Sequence, residues 1–336
     1  MCRNSEVAIC MEQRKLGQLK VSAIGLGCMS MSQGYGSADR KESERALHKA
    51  LEVGYTFLDT ASVYGVGHNE TLIGEVLGKR RNEFILASKC GIINSEGKRG
   101  VDGSPQNIRE TLDASLKRLN TDFIDLYYLH RRDFGVPIEE SVGALGDAVR
   151  SGKIGNIGLS EVSAETISKA HREFPICAVQ SEYSLWTRDP EYKVLDCCKE
   201  LGVGFVPFSP LGRAFLSGQI RDTNQLETGD MRITMPRFTG ENLENNLKLV
   251  DEFCSIANEN GCTAAQLALA WLLSKDSNFV PIPGTKHVKF VEENALAAEI
   301  NISDGELIRV GDIFDSENVF GERYHPSQMI SLDPDL

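Results

Sequence analysis

DLYYLHRRDFGVPIEESVGALGDAVRSGKIGNIGLS, residues 125–160, is the stretch from which the fold is read. Its two ends, DLYYLH (125–130) and IGNIGLS (154–160), are short apolar runs rich in β-branched and aromatic residues, the composition of buried strands. Between them, IEESVGALGDAVRSGK is amphipathic at helical spacing and carries a Gly near its end, where a helix C-cap is expected. A strand, a covering helix and a second strand form a βαβ unit, whose two strands run parallel.

The same alternation extends in both directions. Strand-like runs occur at VSAIGLG (21–27), TFLDT (56–60), FILASK (84–89), AVQSEYS (178–184), GFVPFSP (204–210) and FVPIPGT (279–285), with amphipathic segments such as RKESERALHKALEVG and SPQNIRETLDASLKRL between them. Together with the two runs of the central unit they make eight. Apolar strands alternating with helices argue for a parallel sheet covered on its faces, and eight repeats close a barrel. The expected fold class is α/β, a (β/α)8 barrel, with an open doubly wound sheet as the structural alternative. QRKLGQLKV (13–21) alternates around a Gly turn and is read as a β-hairpin plugging the far end of the barrel.

One gap is long. Between 210 and 279 lie a Gly-, Thr- and Asn-rich segment (212–240), read as a mobile loop over the C-terminal face, and two further helical patterns at 241–260 and 263–276. The expected organisation is a loose start at residues 1–11 followed by a single domain over 12–336.

Composition narrows the function. The 48 acidic residues outnumber the 36 basic ones, giving a net charge of −12 that repels nucleic acid and anionic lipid, although a local basic cluster can still hold a phosphate. Nine scattered cysteines and no signal-peptide pattern point to reduced thiols in the cytoplasm, and no apolar run reaches the roughly 18 residues that span a bilayer. No pair of cysteines has zinc-site spacing, so no metal is expected. The run GLGCMS (25–30) is not a dinucleotide fingerprint, because its third position is Ser and Asp59 lies farther on than the roughly 20 residues the pattern calls for. Cys28 and Cys90 stand at strand ends and are read as buried and inert.

In such a barrel, catalytic groups occupy the C-terminal strand ends. Asp59, Lys89 and His130 fall there on three neighbouring strands, and Tyr64 follows Asp59 on the adjoining loop. Singly, each is more readily a cap or a packed, hydrogen-bonded polar residue than a catalyst. As a set they suit carbonyl reduction, which needs hydride at carbon and a proton at oxygen. A Tyr is a reluctant acid, with a pKa of about 10, and a nearby ammonium is expected to bring it closer to working pH. Asp59 would hold that ammonium, and His130 would hydrogen-bond the carbonyl oxygen.

The runs GYTFLDTASVYGVGHNETLIGEVL, FILASKCG, RLNTDFIDLYYLHR, IGLSEVS, VQSEYSL, PFSPLGR and IPGTKHVKFVEEN, in this order along nearly the whole chain, resemble the aldo-keto reductase superfamily, in particular its bacterial, fungal and plant reductases. The resemblance implies a catalytic tetrad of Asp59, Tyr64, Lys89 and His130, and NADPH (as NADP after turnover) as cofactor. It implies that Gly27, Met29 and Asp59 line the cofactor cleft, that Ser160 and Gln180 hold the carboxamide and that Phe208 stacks on the nicotinamide. Ser209, Pro210, Leu211, Gly212 and Arg213 would wrap the pyrophosphate, and Gly284, Thr285, Lys286, Glu293 and Asn294 would take the adenosine end. Lys286, with His287 and Lys289, offers charge for a 2′-phosphate. Two positions depart from the family pattern: Phe208 where many relatives have Tyr, and Glu161 where they have an Asn able to contact the carboxamide.

The implied partner is a small carbonyl substrate, with no nucleic acid and no membrane. Within the superfamily the alternative role is that of an NADPH-binding regulatory subunit, as in the potassium-channel beta subunits. Substrate choice is expected to reside in the loop after Lys89 (91–104), the stretch 213–240 and the tail RYHPSQM (323–329).

Overall fold

The computed structural model describes residues 11–95, 98–325, 329 and 332–333. The loose start expected for residues 1–11 lies outside these, apart from Met11, which is buried.

Strands β1 (Gln13–Leu16) and β2 (Leu19–Ser22) pair antiparallel through a turn at Gly17, the expected hairpin. The barrel strands are β3 (Leu26–Gly27), β4 (Phe57–Asp59) and β5 (Ile85–Cys90), then, after a small antiparallel hairpin of β6 (Ile92–Ser95) and β7 (Lys98–Val101), β8 (Ile124–Leu129), β9 (Ile154–Ser160), β10 (Ile176–Glu182) and β11 (Gly204–Phe208). They form a parallel 7-stranded sheet in the order β11-β10-β9-β8-β5-β4-β3. The stretch 91–104, expected as a plain loop, contains the β6–β7 hairpin.

The eighth run, 279–285, closes the barrel through single bridges, Phe205 with Phe279 and Gly27 with Gly284. Toward β11 it donates normally, from Val280 N to Phe205 O (3.0 Å) and from Ile282 N to Pro207 O (3.0 Å). Toward β3 it only accepts, from Gly25 N at Pro281 O (2.9 Å) and from Gly27 N at Pro283 O (3.2 Å), because the two prolines have no N–H to give. The ladder is therefore broken at this seam, although the wall is complete.

The hairpin seals the N-terminal end. A Cβ on Gly17 would come within 2.4 Å of Cys177 O, and one on Gly204 within 2.5 Å of Leu16 Cδ1, so both positions require glycine for close approach. Leu16 and Val21 join Phe57, Ala87, Leu126 and Val206 in the barrel interior, which is a packed core rather than a channel.

The helices are α1 (Arg40–Glu52), α2 (His68–Leu77), α3 (Pro105–Leu119), α4 (Ile138–Arg150), α5 (Ala164–Glu173), α6 (Val194–Leu201), α7 (Gly240–Glu259), α8 (Ala264–Lys275), α9 (Val288–Ala295) and α10 (Asp304–Ile313). Local chemistry sets their ends: Ser104 caps α3 ahead of Pro105, and Thr263 with Gln266 forms a capping box on α8. Helices α7 and α8 are the two patterns read between the last strands. The C-terminal α10 packs on α7 through Phe253 and Phe314, whose ring centroids are 5.5 Å apart.

The segment 212–240 lies over the C-terminal face as short turns and is pinned at several points. Glu227 accepts from Ser37 N (2.7 Å), Met231 N donates to Gly34 O (3.0 Å) and Arg237 donates to Trp186 O (2.7 Å). Among the described residues no helix is long and apolar enough to cross a membrane.

Candidate active site

Parallel pairing in register brings the ends of β4, β5 and β8 side by side, and with them Asp59, Lys89 and, one residue beyond β8, His130. His130 is fixed by its N–H to Cys90 O (2.8 Å). Tyr64 is carried back over these ends by a turn closed by Tyr64 N to Ala61 O (3.1 Å), and Thr60 Oγ1 donates to Asn69 Oδ1 (2.7 Å) to tie the turn to α2. All four side chains are buried.

Lys89 is the hub. Its Nζ donates to Asp59 Oδ1 (2.5 Å), to Thr60 O (2.7 Å) and toward Tyr64 OH (3.5 Å). Gln180 Nε2 donates to the other carboxylate oxygen, Asp59 Oδ2, at 2.9 Å. The Tyr64 and His130 rings stand nearly perpendicular at 81°, with centroids 5.8 Å apart.

Burial alone would push Lys89 down, but the contacts with Asp59 and Tyr64 together outweigh it and hold Lys89 above the ordinary ammonium value, so it stays charged. Tyr64 differs from expectation. Burial raises its pKa and the Lys89 charge offsets this only in part, leaving the phenol above its usual value. The reason is geometric: the phenol loses water when it is packed beside the cleft, and the Asp59 carboxylate opposes part of the Lys89 field. Tyr64 is thus fully protonated at neutral pH. Burial, with the positive charges of Lys89, Arg131 and Arg99, drives His130 well below its ordinary value, so its imidazole is neutral. The thiols of Cys28 and Cys90 are also pushed up by burial, that of Cys90 to about 12, and both remain protonated.

Above this cluster opens a cleft of about 810 Å³. Of the residues singled out for a cofactor, Gly27, Met29, Asp59, Ser160, Gln180, Phe208, Ser209, Pro210, Leu211, Arg213, Gly284, Thr285 and Lys286 line it, together with Tyr64 and His130. Gly212, Glu293 and Asn294 do not. Gly212 has a left-handed backbone (φ 54°) against Trp186, Glu293 accepts from Thr263 Oγ1 (2.7 Å), and Asn294 is buried.

Several lining side chains already have partners. Arg213 is paired bidentately with Glu182 (2.9 and 2.7 Å), both being buried, and Lys286 donates to the carbonyls of Tyr35 (2.8 Å) and Ser37. Ser160 Oγ accepts from Arg131 Nη1 (3.1 Å). Glu161 is turned away from the cleft. With a φ of 55° it accepts from Glu182 N (2.7 Å) and Arg323 Nη2 (2.5 Å), so its carboxylate anchors the C-terminal tail to the end of β9.

The reading from sequence did not single out Arg99, Arg131, Tyr35 or Tyr324, all of which line the cleft. Arg131 had a signal, since it follows His130 directly at a strand end. Arg99 and Tyr324 sit within two of the three segments flagged for specificity, but nothing local marks them as inward-facing.

The aldo/keto reductase family model matches residues 23–313. The chain is 41% identical over 320 residues to a Schizosaccharomyces pombe protein described as aldo-keto reductase yakc, with NADP(+) in its name, covering 93% of this chain and 94% of the relative. It is 41% identical to probable aldo-keto reductase 1 of Glycine max, with 93% and 91% covered. Among solved structures, the glycerol dehydrogenase of Gluconobacter oxydans superposes with a TM-score of 0.81 at 27% identity, covering 90% of this chain and 94% of that one. An aldo/keto reductase from Klebsiella pneumoniae in complex with NADP and acetate gives 0.73 at 26% identity, with 94% and 99% covered. With the family model spanning most of the barrel and relatives matched nearly end to end, the chain belongs to the aldo/keto reductase family.

Proposed function

We propose that this protein reduces a small aldehyde or ketone to the alcohol with NADPH, Tyr64 giving the proton to the carbonyl oxygen. The observation that carries the reading is the Lys89 ammonium held between Asp59 and Tyr64 beneath an open cleft, with a neutral His130 beside the phenol.

The residues present suit the cofactor. A cleft of about 810 Å³ runs past the amide of Gln180, the aromatic face of Phe208 and the turn at Ser209 (φ 48°) to Lys286. The names of the yeast relative and of the Klebsiella complex, both of which include NADP, agree with this choice. The cofactor's chemical contribution is hydride at the carbonyl carbon. The chain supplies the rest. His130 donates a neutral N–H to the carbonyl oxygen, and Tyr64, loaded with its proton, transfers it as alkoxide character develops there. Lys89 stabilises the phenolate left behind, and Asp59 keeps that ammonium in place.

Stopped or steady-state turnover of 4-nitrobenzaldehyde, followed by NADPH absorbance, tests the reading; cofactor binding with no turnover of any aldehyde sinks it. Because burial holds the Tyr64 phenol above its ordinary value, kcat/KM for reduction should hold through neutrality and fall only in strongly alkaline solution, where the phenol loses its proton. Because His130 is neutral throughout, no inflection near 6.5 is expected. An inflection there that vanishes in His130→Gln would contradict the assignment.

Lys286 is proposed to meet the 2′-phosphate by exchanging its present carbonyl partners for a charged one. Lys286→Ala should then weaken NADPH binding about tenfold while moving NADH little, as read by cofactor fluorescence titration. Equal weakening of both would assign Lys286 to the strap at residues 35–37 instead.

A further inference from the structure

Among the described residues, four arginines line the cleft: Arg99, Arg131, Arg213 and Arg232. Two are neutralised in place, Arg213 by Glu182 and Arg232 by Asp230 at 2.6 Å. Among the described residues, Arg99 and Arg131 have no acidic group within ion-pair distance. Arg131 stands one residue past His130, is buried, and uses Nη1 on His130 O (2.6 Å) and Ser160 Oγ (3.1 Å), both uncharged acceptors. Arg99 comes from β7 and borders the cleft with an exposed side chain.

The two cations share one wall. Besides burial, which is the larger cause in both cases, each lowers the pKa of His130 and Arg131 lowers that of Arg99, so they lie within electrostatic reach of each other and of the catalytic imidazole. Two guanidiniums that line one cleft and have no acidic partner among the described residues repel each other, and an anion would relieve that repulsion. Their place also tells which anion. They lie with Tyr64 and His130, where the carbonyl reacts, whereas the segment expected to hold the cofactor phosphates runs through residues 209–213 and 284–287.

We propose that the substrate is a carbonyl compound carrying a carboxylate, which Arg99 and Arg131 receive while the carbonyl meets Tyr64 and His130. This rests on the reductase reading above. Guanidinium and carboxylate match as planar, bidentate partners, which makes Arg the residue suited to the task. The carboxylate is untouched by the reaction: hydride adds to the carbonyl carbon, the oxygen takes the Tyr64 proton, and the cofactor is left oxidised.

The test compares 4-carboxybenzaldehyde with 4-nitrobenzaldehyde, in which an uncharged group of the same shape replaces the carboxylate. The quantity read is the ratio of their kcat/KM values, so intrinsic reactivity cancels between variants. Arg99→Gln should lower the ratio about tenfold, mainly through KM for the carboxylate, as expected for loss of a charge-assisted contact. Arg99→Glu should lower it further, Arg99→Lys should restore much of it, and added salt should lower it in the unsubstituted enzyme. Because Arg99 is itself exposed, these variants should fold. A ratio that stays within about twofold in both Arg99→Gln and Arg99→Glu, while 4-nitrobenzaldehyde is still turned over, overturns the carboxylate proposal alone. Turnover of neither aldehyde by the unsubstituted enzyme overturns the reductase reading beneath it.

Discussion

Tyr64→Phe should lower kcat for aldehyde reduction by a factor of about 10² to 10⁴, the usual contribution of a positioned general acid. The substitution removes one oxygen atom. It leaves the ring against His130 and deprives Lys89 only of its weakest partner, at 3.5 Å, while the contacts at 2.5 and 2.7 Å remain. Folding and NADPH affinity should therefore be close to those of the unsubstituted chain, and the loss should appear in kcat rather than in cofactor Kd. Rapid-mixing kinetics under saturating NADPH separate these. A variant that retains more than about a tenth of the rate would show that water or another group can protonate the oxygen, and would displace Tyr64 from its role.

Lys89→Met should have two large effects at once. Catalysis should fall by about 10² or more, because the phenolate left after proton transfer would have no cation beside it. Stability should fall by about 3–5 kcal/mol, because Asp59, buried at 2% exposure, would keep only Gln180 as a partner for its charge. The sign of the pH dependence follows. An unpaired buried carboxyl has a folded-state pKa raised above its unfolded value, so the native state binds the extra proton and the variant should regain stability as the pH falls through that raised value. Lys89→Met with Asp59→Asn should recover most of the stability and none of the catalysis. Denaturation midpoints at two pH values, alongside kcat, distinguish this from simple damage to packing, which would be independent of pH.

The grouping of the proposed catalytic residues was legible in the sequence because it depends on strand ends. Once the repeat of strand and helix is recognised, Asp59, Lys89 and His130 must stand side by side, since parallel neighbours in register carry their C-terminal ends to one face. What was not legible depends on pairings across the fold. That Arg213 would be held by Glu182, or that Glu161 would face the tail instead of the cleft, follows from contacts between residues 31 and 162 positions apart. No local pattern encodes these. The direction of the Tyr64 shift was missed for a related reason: proximity of Lys89 can be inferred from topology, whereas loss of solvent around the phenol cannot. The closing run 279–285 was recognised by its apolar composition, yet Pro281 and Pro283 prevent it from forming a regular strand toward β3.

The anchoring of Arg323 on Glu161 has a consequence for how this barrel can diversify. Tails at the mouth of an enzyme are usually the part that can be lengthened, shortened or exchanged with little harm, and so serve as raw material for new substrate ranges. Here the tail carries the countercharge for a carboxylate that is 1% exposed at the end of β9, one residue from Ser160. Removing residue 323 would leave that buried carboxylate without its cation, holding only the Glu182 N–H. Variation in this lineage is therefore expected to treat positions 161 and 323 as a single unit, changing together or not at all, with freedom to drift confined to the residues on either side.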